Sequence, residues 1–534
     1  MKKIFGHFPF PVLLLSLLFA VKALYLAFCV TPLWNIHDEI GHYAYTQDIA
    51  EGKGIPLLGK AVIGTDIMSY LEGKPNSPPA YNWIAQHPPL YYIAAAVPLK
   101  IGSWFTNDVE ILYRLPRIVA ALSGALLILV LFRTFTLIGL DPLRASAVAA
   151  SIGFIPQVSN LASITNHDIP LLLCCALATH FFARYLIQRK IHDAYWCAGW
   201  LAIAGGIKMM TPWALAAPMV AIILIELSGS IKYRIKHAIG IAIVASSLPI
   251  AWLLHNIVYF GTPFYTSTEA AGALQIAPIH QSIAEYLILK PVFQTFISTF
   301  FGLFGHISSG IGNYVLEMEV APRHIQIQAA MIDDLPLEFY SILIFILGCI
   351  CVCYMLTLAR SVFQKTSSSL PQDSLIAWMH SHLSYDHYKR RIFIYVILLA
   401  VLVASFVGVI SQTDYSINNV DVAISIALGI TSFAIILYVN DPVDRLALYG
   451  LMIFLFFGSA LLYHVYGAYL RLGVMRATQG RYLYPVIPLI LLTASVALMR
   501  LRISGVVISG VVAILACLEL SVFVLQVLPL YFGG

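Results

Sequence analysis

Residues 8–42 read FPFPVLLLSLLFAVKALYLAFCVTPLWNIHDEIGH. An unbroken apolar run ends at Thr31-Pro32, and soon afterwards come two acids and two histidines. A hydrocarbon core about 30 Å thick needs roughly 17–25 apolar residues of helix, so the run is long enough to cross a bilayer. Polar residues directly after it put reactive side chains at a membrane boundary. The rest of the chain has the same character: of 534 residues, 60% are hydrophobic and 11% charged, whereas soluble domains carry about 25% charged residues. An ordinary water-soluble protein is excluded. The formal charge of +5 is small for this length and gives no reason to expect nucleic acid. The basic start MKKIFGH has the look of a secretory leader, but its apolar stretch is too long and no small-residue cleavage site follows, so it reads as a retained first span. All eight cysteines lie inside apolar runs, which argues against a disulfide framework or a thiolate metal cluster.

Apolar runs of spanning length are expected at 10–31, 115–136, 144–160, 168–188, 194–207, 212–228, 237–256, 338–359, 391–411, 420–439, 446–466, 482–499 and 503–530, about thirteen in all. Two shorter stretches, Pro88 to Gly102 and Val292 to Gly305, fit interfacial or re-entrant helices. With the N-terminus cytoplasmic, Lys2/Lys3, Arg133/Arg144, Arg184/Arg189/Lys190, Lys232/Arg234/Lys236, Arg360/Lys365/Lys389/Arg390/Arg391 and Arg500/Arg502 fall on one side, as the positive-inside rule requires. The expected architecture is an all-α polytopic membrane protein forming one unit over 1–534. Large outer regions lie at 32–114 and 257–337, a shorter one runs from Gly467 to Arg481, and a cytoplasmic connector covers 359–390. The C-terminus is then outside. No internal repeat is visible, which weakens a transporter built from duplicated halves.

Within NIHDEIGHYAY (Asn35–Tyr45), Asn35 is a good N-cap with Asp38 three residues on, so a helix is expected from here to the breaker around Gly52. Asp38, Glu39 and His42 then share a face with Tyr45. A zinc-protease H-E-x-x-H needs histidines four apart, whereas His37 and His42 are five apart. On these residues alone the acids serve equally well as complements to the helix dipole. Further on, His87 in NWIAQHPPLYY (Asn82–Tyr92) opens a short helix, where it is either punctuation or a hydrogen-bonding partner for a phosphate or sugar hydroxyl. The loop GAYLRLGVMRATQGRYLYP carries Arg471, Arg476 and Arg481 with no acid between Gly467 and Arg481. Guanidiniums on the outer side suggest an anion such as phosphate, head-group snorkelling being the plainer account. Asn166, Asp168, Lys208 in GGIKMMTPW, and His306 in FGLFGH are weaker candidates, each equally at home as a cap or a satisfied polar residue. Lys22 lies inside the first span with no partner evident from the sequence.

In order along the chain stand D-E-x-x-H-Y after the first span, QHPPLYY, an N-x-D before a span, HNIVYFGTPF after another, and QGRYLYPVIP. This set resembles the C superfamily of glycosyltransferases (GT-C), in particular bacterial proteins similar to protein O-mannosyltransferases and the lipid A aminoarabinose transferase. It runs over nearly the whole chain and departs in one place: His167 stands between Asn166 and Asp168, where relatives often have N-D. The resemblance implies a GT-C-type polytopic fold, an active site on the outer face, a polyprenyl-phosphate-linked sugar donor, and a catalytic acid in the first outer loop at Asp38, with Glu39 beside it.

The residue chemistry agrees, because no glycine-rich phosphate loop opens a strand-helix unit as a soluble nucleotide-sugar enzyme would require. In an inverting transfer one carboxylate takes the acceptor's proton while the phosphate leaves from the other face, needing charge rather than a proton. Asp38 is accordingly the expected base, with Glu39 orienting it or the acceptor. Arg476 and Arg481, helped by Lys208 or His87, are expected to hold the donor phosphate. His42, Asn166, Asp168, His306 and Tyr482 complete the substrate contacts, with Tyr482 and Tyr484 bordering lipid. No cofactor is required, although a divalent cation bridging Asp38, Glu39 and phosphate is compatible with the superfamily. The acceptor is a lipid, glycan or protein, membrane lipids surround the chain, and a bacterial inner membrane is the expected location. The rival reading is a transporter or a non-catalytic binder of the same polyprenyl ligand, which would keep Asp38 and Arg481 apart or place charges at the membrane midplane.

Overall fold

A computed structural model describes residues 8–34, 38–265, 281–304, 330–331, 334–364, 439, 441–472 and 479–532. The first span, α1 (Phe10–Tyr25), begins at Pro9 and Pro11 and is continued by a π turn, Leu26–Val30. The region that follows it folds as α2 (Glu39–Ala50), α3 (Thr65–Glu72), α4 (Leu90–Gly102) and α5 (Val109–Arg114), with β1 (Val62–Ile63) paired antiparallel to β2 (Ala80–Tyr81). The bundle continues with α6 (Arg117–Leu137), α7 (Pro142–Ser151), α8 (Pro156–Ala162), α9 (Asp168–Gln188), α10 (Ile191–Ile207), α11 (Met210–Glu226) and α12 (Ile231–Phe260). After it come α13 (Ile283–Leu289), α14 (Val292–Phe301), α15 (Asp334–Gln364), α16 (Pro442–Leu472), α17 (Ile487–Arg500) and α18 (Gly505–Val522). Among the described residues eight helices are long and apolar enough to cross a membrane. One bent pair adds a ninth, while the spans expected at 194–207 and 212–228 fall on the 17-residue helices α10 and α11, which are not among these. The spans expected at 391–411 and 420–439, and most of the connector 359–390, lie outside the described residues.

Burial separates centre from periphery. The span α9 is 78% buried inside the protein against 17% for α12, so α9 is the axis of the bundle and α12 turns isoleucines and valines such as Ile243 and Val258 outward. The stretch 144–160 is not a straight span. Pro156 lacks an N–H and pushes Ile155 into an extended conformation, so the chain bends by 71° between Pro142–Phe154 and Pro156–Ala162. A break in a spanning helix frees carbonyls that lipid cannot satisfy. Here Gly153 O accepts from Lys22 Nζ at 2.7 Å and from Ser159 Oγ at 3.3 Å. Lys22 in turn pairs with Glu519 of α18 at 2.7 Å, and Ser159 hydrogen-bonds the same carboxylate. The lysine's partner thus comes from the far end of the chain and serves the kink.

A second buried pair fixes how the region between the first span and α6 sits on the bundle. Arg117, at the start of α6, and Glu39, at the start of α2, are both fully buried. Arg117 Nε and Nη2 each reach a Glu39 oxygen at 2.8 Å, and its remaining N–H groups go to Ala27 O, Thr31 O and Pro32 O at 2.6–2.9 Å. Glu39 also accepts from the backbone N–H of Thr165 at 2.8 Å and of Trp34 at 3.2 Å. All five guanidinium donors are used. Removing one partner of such a pair leaves a bare charge in the interior, at a cost of about 3–5 kcal/mol. Glu39→Ala is therefore expected to lower stability by about that amount, read as a fall in the melting temperature of the purified protein. An unchanged melting curve would show the pair to be dispensable.

Candidate functional site

At the end of the bundle where α1 finishes and α9 begins, three segments distant in sequence converge. Asp38 precedes α2 with φ +61°, a left-handed conformation that aspartate tolerates better than most residues. Helix α2 therefore starts at Glu39 rather than at the expected Asn35, which with His37 lies outside the described residues. The Asp38 side chain caps no helix. Instead its Oδ1 accepts from Trp83 Nε1 at 3.1 Å, and Oδ2 lies 3.6 Å from Arg481 Nη2. Gly41, one turn on, permits this approach, since a Cβ there would stand 2.6 Å from Ile84 Cγ1 and 2.9 Å from Asn82 Oδ1.

Arg481 lies in the 3-10 segment Gly480–Val486, pinned against α14. Gly480 N donates to Thr299 Oγ1 at 2.7 Å, a Cβ on Gly480 would fall 2.2 Å from Phe296 O, and Tyr484 OH donates to Phe300 O at 2.9 Å. Tyr484 is consequently buried in the core and does not border lipid as expected. The guanidinium, 6% exposed, sits between two acids: Asp38 on one side and Asp168, 3.5 Å from Nη1, on the other. Asp168 opens α9 and is buried. Its Oδ1 receives Lys208 Nζ at 3.0 Å and lies 3.3 Å from His167 Nε2. Lys208 stands in the break between α10 and α11, its ammonium 5.0 Å from the Tyr482 ring centroid, with the Arg481 guanidinium 5.7 Å from the same ring. Arg481, which has no acid near it in its own loop, is thus met by acids from other parts of the chain.

Behind these charges is an aromatic layer. His167 is 4.7 Å, centroid to centroid, from both His42 and His87, and Tyr45 stacks on Tyr92 at 3.8 Å. Burial, reinforced by neighbouring positive charge, holds all three imidazoles neutral at pH 7: His42 and His87 well below the ordinary value, and His167 at about 4.

The expected site residues therefore divide. Asp38, Asp168, Lys208, Arg481 and Tyr482 come together, with His87 behind them. Glu39 is not free to orient Asp38, because Arg117, Thr165 and Trp34 occupy its carboxylate. His42 and Asn166 turn inward to each other, Nδ2 to Nε2 at 3.4 Å, and belong to the support rather than to a substrate surface. Arg476, His306 and the side chain of Arg471 lie outside the described residues. Arg117, Trp83 and Tyr92 were not singled out from the sequence, and His167 stood out only as the residue that separates Asn166 from Asp168. A basic residue at the start of an apolar span was the available signal for Arg117. As for a cation, no three His, Cys, Asp or Glu side chains among the described residues are placed so that they could hold a metal ion, and the facing acids are already bridged by a guanidinium. Arranged in this way, the residues do not fit a divalent ion.

Fold and site define a polytopic helical membrane protein with an ionic centre at one end of its bundle. Residues 86–252, which carry His87, Tyr92, Asp168 and Lys208, match the family described as dolichyl-phosphate-mannose-protein mannosyltransferase, over less than half of the chain. Comparison with curated protein sequences found no match. Among solved structures, the chain is similar to the Archaeoglobus fulgidus oligosaccharyltransferase in complex with Zn and sulfate, at TM-score 0.40 and 12% identity, over 95% of this chain and 52% of that one. The apo form of that enzyme gives 0.37 and 14%, over 97% and 55%. ArnT from Cupriavidus metallidurans in the apo state gives 0.35 and 12%, over 91% and 76%. The chain spans about half the length of the archaeal protein, and scores of this size decide nothing about activity.

The neutral histidines make a pH prediction. Their folded values lie below the free value of about 6.5, so as pH falls the unfolded chain binds protons first. Their contribution to stability is complete above about pH 6.5 and declines below it; for His167, held at about 4, the loss by pH 4 is about 3 kcal/mol. Melting temperature measured from pH 7.5 downward (a range of about three units) should fall, and should fall less in His167→Gln. Parallel curves for the two proteins would contradict the assignment.

Proposed function

We propose that the chain transfers a sugar from a polyprenyl-phosphate donor to an acceptor hydroxyl, with inversion and with Asp38 as base. The observation that carries this reading is one guanidinium, Arg481, held between Asp38 and Asp168 at 3.6 and 3.5 Å. These are charge contacts longer than good hydrogen bonds, so a phosphate that offers closer, paired acceptors can draw the guanidinium toward itself. Lys208, the other nearby cation, adds a point charge. The same movement frees the Asp38 lone pairs from the competing cation. The bond from the anomeric carbon to phosphate oxygen breaks, the acceptor oxygen bonds the carbon from the opposite face, Asp38 takes the acceptor's proton, and the lipid phosphate leaves as an anion held by Arg481 and Lys208. Asp38 is half exposed while Asp168 is buried, which suits the first to an incoming acceptor and the second to the bound sugar. A transporter would be favoured by distance between Asp38 and Arg481, and the two are in contact. The mannosyltransferase family match over 86–252 supports the reaction class; sugar and acceptor are to be found by assay.

The test is transfer of radiolabelled sugar, or its release into water, by purified full-length protein given short-chain polyprenyl-phosphate sugars. Asp38→Asn should reduce turnover by at least ~100-fold, and full activity in that variant removes Asp38 from the mechanism. Arg481→Lys keeps the charge but loses paired donation, so the donor KM should rise about tenfold; an unaltered KM would mean that phosphate binds elsewhere.

A further inference from the structure

The hydrogen bonds behind the site have a direction, and one backbone amide sets it. Asp168 N donates to the Asn166 side chain at 2.7 Å, and since a backbone N–H only donates, the receiving atom is Oδ1. The NH2 group of Asn166 is therefore the end that faces His42 Nε2, at 3.4 Å, and that nitrogen is an acceptor. In a neutral imidazole the proton then sits on Nδ1, which donates to Tyr92 OH at 2.9 Å. Having accepted there, the Tyr92 hydroxyl turns its own proton to His167 Nδ1, at 3.4 Å. His167 must carry its proton on Nε2, which is the atom facing Asp168 Oδ1 at 3.3 Å. Each donor meets an acceptor, and the chain has one sense from Asn166 to Asp168.

Its end point is a carboxylate with one oxygen filled and one open. Oδ1 takes the protons of His167 and Lys208. Oδ2 is buried, lies 3.5 Å from Arg481 Nη1, and has no hydrogen-bond partner among the described residues; nor has Arg481 Nε. A buried acceptor beside a buried donor suits a group that both gives and takes a hydrogen bond, which is what a sugar hydroxyl does.

We propose that His42, Tyr92 and His167 are positioning residues, a single-tautomer relay that turns Asp168 Oδ2 toward a hydroxyl of the donor sugar. The hydroxyl assignment rests on the transferase reading; the relay itself does not. Every element around His167 contributes a charged or titratable group: Asp168 from α9, Lys208 from the α10–α11 break, Arg481 from the 3-10 segment, His42 from the α2 helix, and His87, Tyr91 and Tyr92 at the start of α4. Protonating His167 would put a second N–H against Tyr92 OH and strand the tyrosine's own proton, because His42 already donates to that oxygen. The relay thus resists protonation by its direction as well as by burial.

The test uses full-length protein with 15N-labelled histidine in lipid nanodiscs. At pH 7 the His167 signals, identified by their loss in His167→Gln, should show neutral imidazole protonated on Nε2, and those of His42 neutral imidazole protonated on Nδ1. Tyr92→Phe keeps the ring stacked on Tyr45 but removes the hydroxyl, so it should shift the Nδ1 resonances of both histidines together. In donor turnover, Tyr92→Phe should raise the KM for the polyprenyl-phosphate sugar about fivefold and move the acid limb of kcat/KM up by about one pH unit. A charged His167 at pH 7, the opposite tautomer, or histidine resonances indifferent to Tyr92→Phe would overturn the relay. If the wild type turns over no donor yet shows these tautomers, the transferase reading falls and the relay stands. If turnover proceeds with reversed tautomers, only the relay falls.

Discussion

The Glu39–Arg117 pair is the constraint on which the end of the bundle that carries Asp38 and Asp168 rests. It joins the end of the first span, through the carbonyls of Ala27, Thr31 and Pro32, to the start of α6, the start of α2 and the backbone of Thr165. Taking two charges out of water is expensive, and attraction between them offsets this only when every remaining donor and acceptor is met. Here they are met, and the result is positional. Asp38 adjoins Glu39 in sequence, and Asp168 follows Thr165 by three residues. One closed ion pair therefore sets where both open carboxylates stand, before any ligand arrives.

The outline of the fold was legible because hydrocarbon imposes one length and one composition on every helix that crosses it. Runs such as 168–188 and 10–31 map onto helices almost residue for residue. The pairing of an early acid with a late guanidinium was legible too, from an outer loop rich in arginine where few bases belong. Partners were less so. Nothing near Lys22 in sequence points to Glu519, and nothing in D-E says which acid is buried and which is presented. That choice follows from the left-handed backbone at Asp38 and from an arginine in α6, neither of which leaves a periodic signature. Likewise Tyr484 looked amphipathic enough for a lipid border, but the close contact of Gly480 with α14 turns it inward.

His42 and Asn166 show the same limit from another side. Polar residues close to a presumed site invite assignment to the substrate, since composition cannot tell a residue that touches ligand from one that holds its neighbour. The structure tells them apart by counting bonds: both nitrogens of His42 and both side-chain ends of Asn166 are already engaged inside the protein.

Two of the buried arginines, Arg117 and Arg481, make that distinction sharpest. Arg117 and Arg481 carry the same charge, lie against carboxylates and are almost equally hidden. Arg117 has every N–H within 2.9 Å of an oxygen, whereas Arg481 meets its acids only at 3.5 and 3.6 Å and leaves Nε without a partner among the described residues. A saturated guanidinium gains nothing from a phosphate and would lose five good bonds by moving. An unsaturated one, already desolvated, gains hydrogen bonds when an anion arrives. Electrostatics brings both arginines into the interior, but only unfilled hydrogen-bonding capacity makes one of them a candidate site, and that property is visible only after the chain has folded around it.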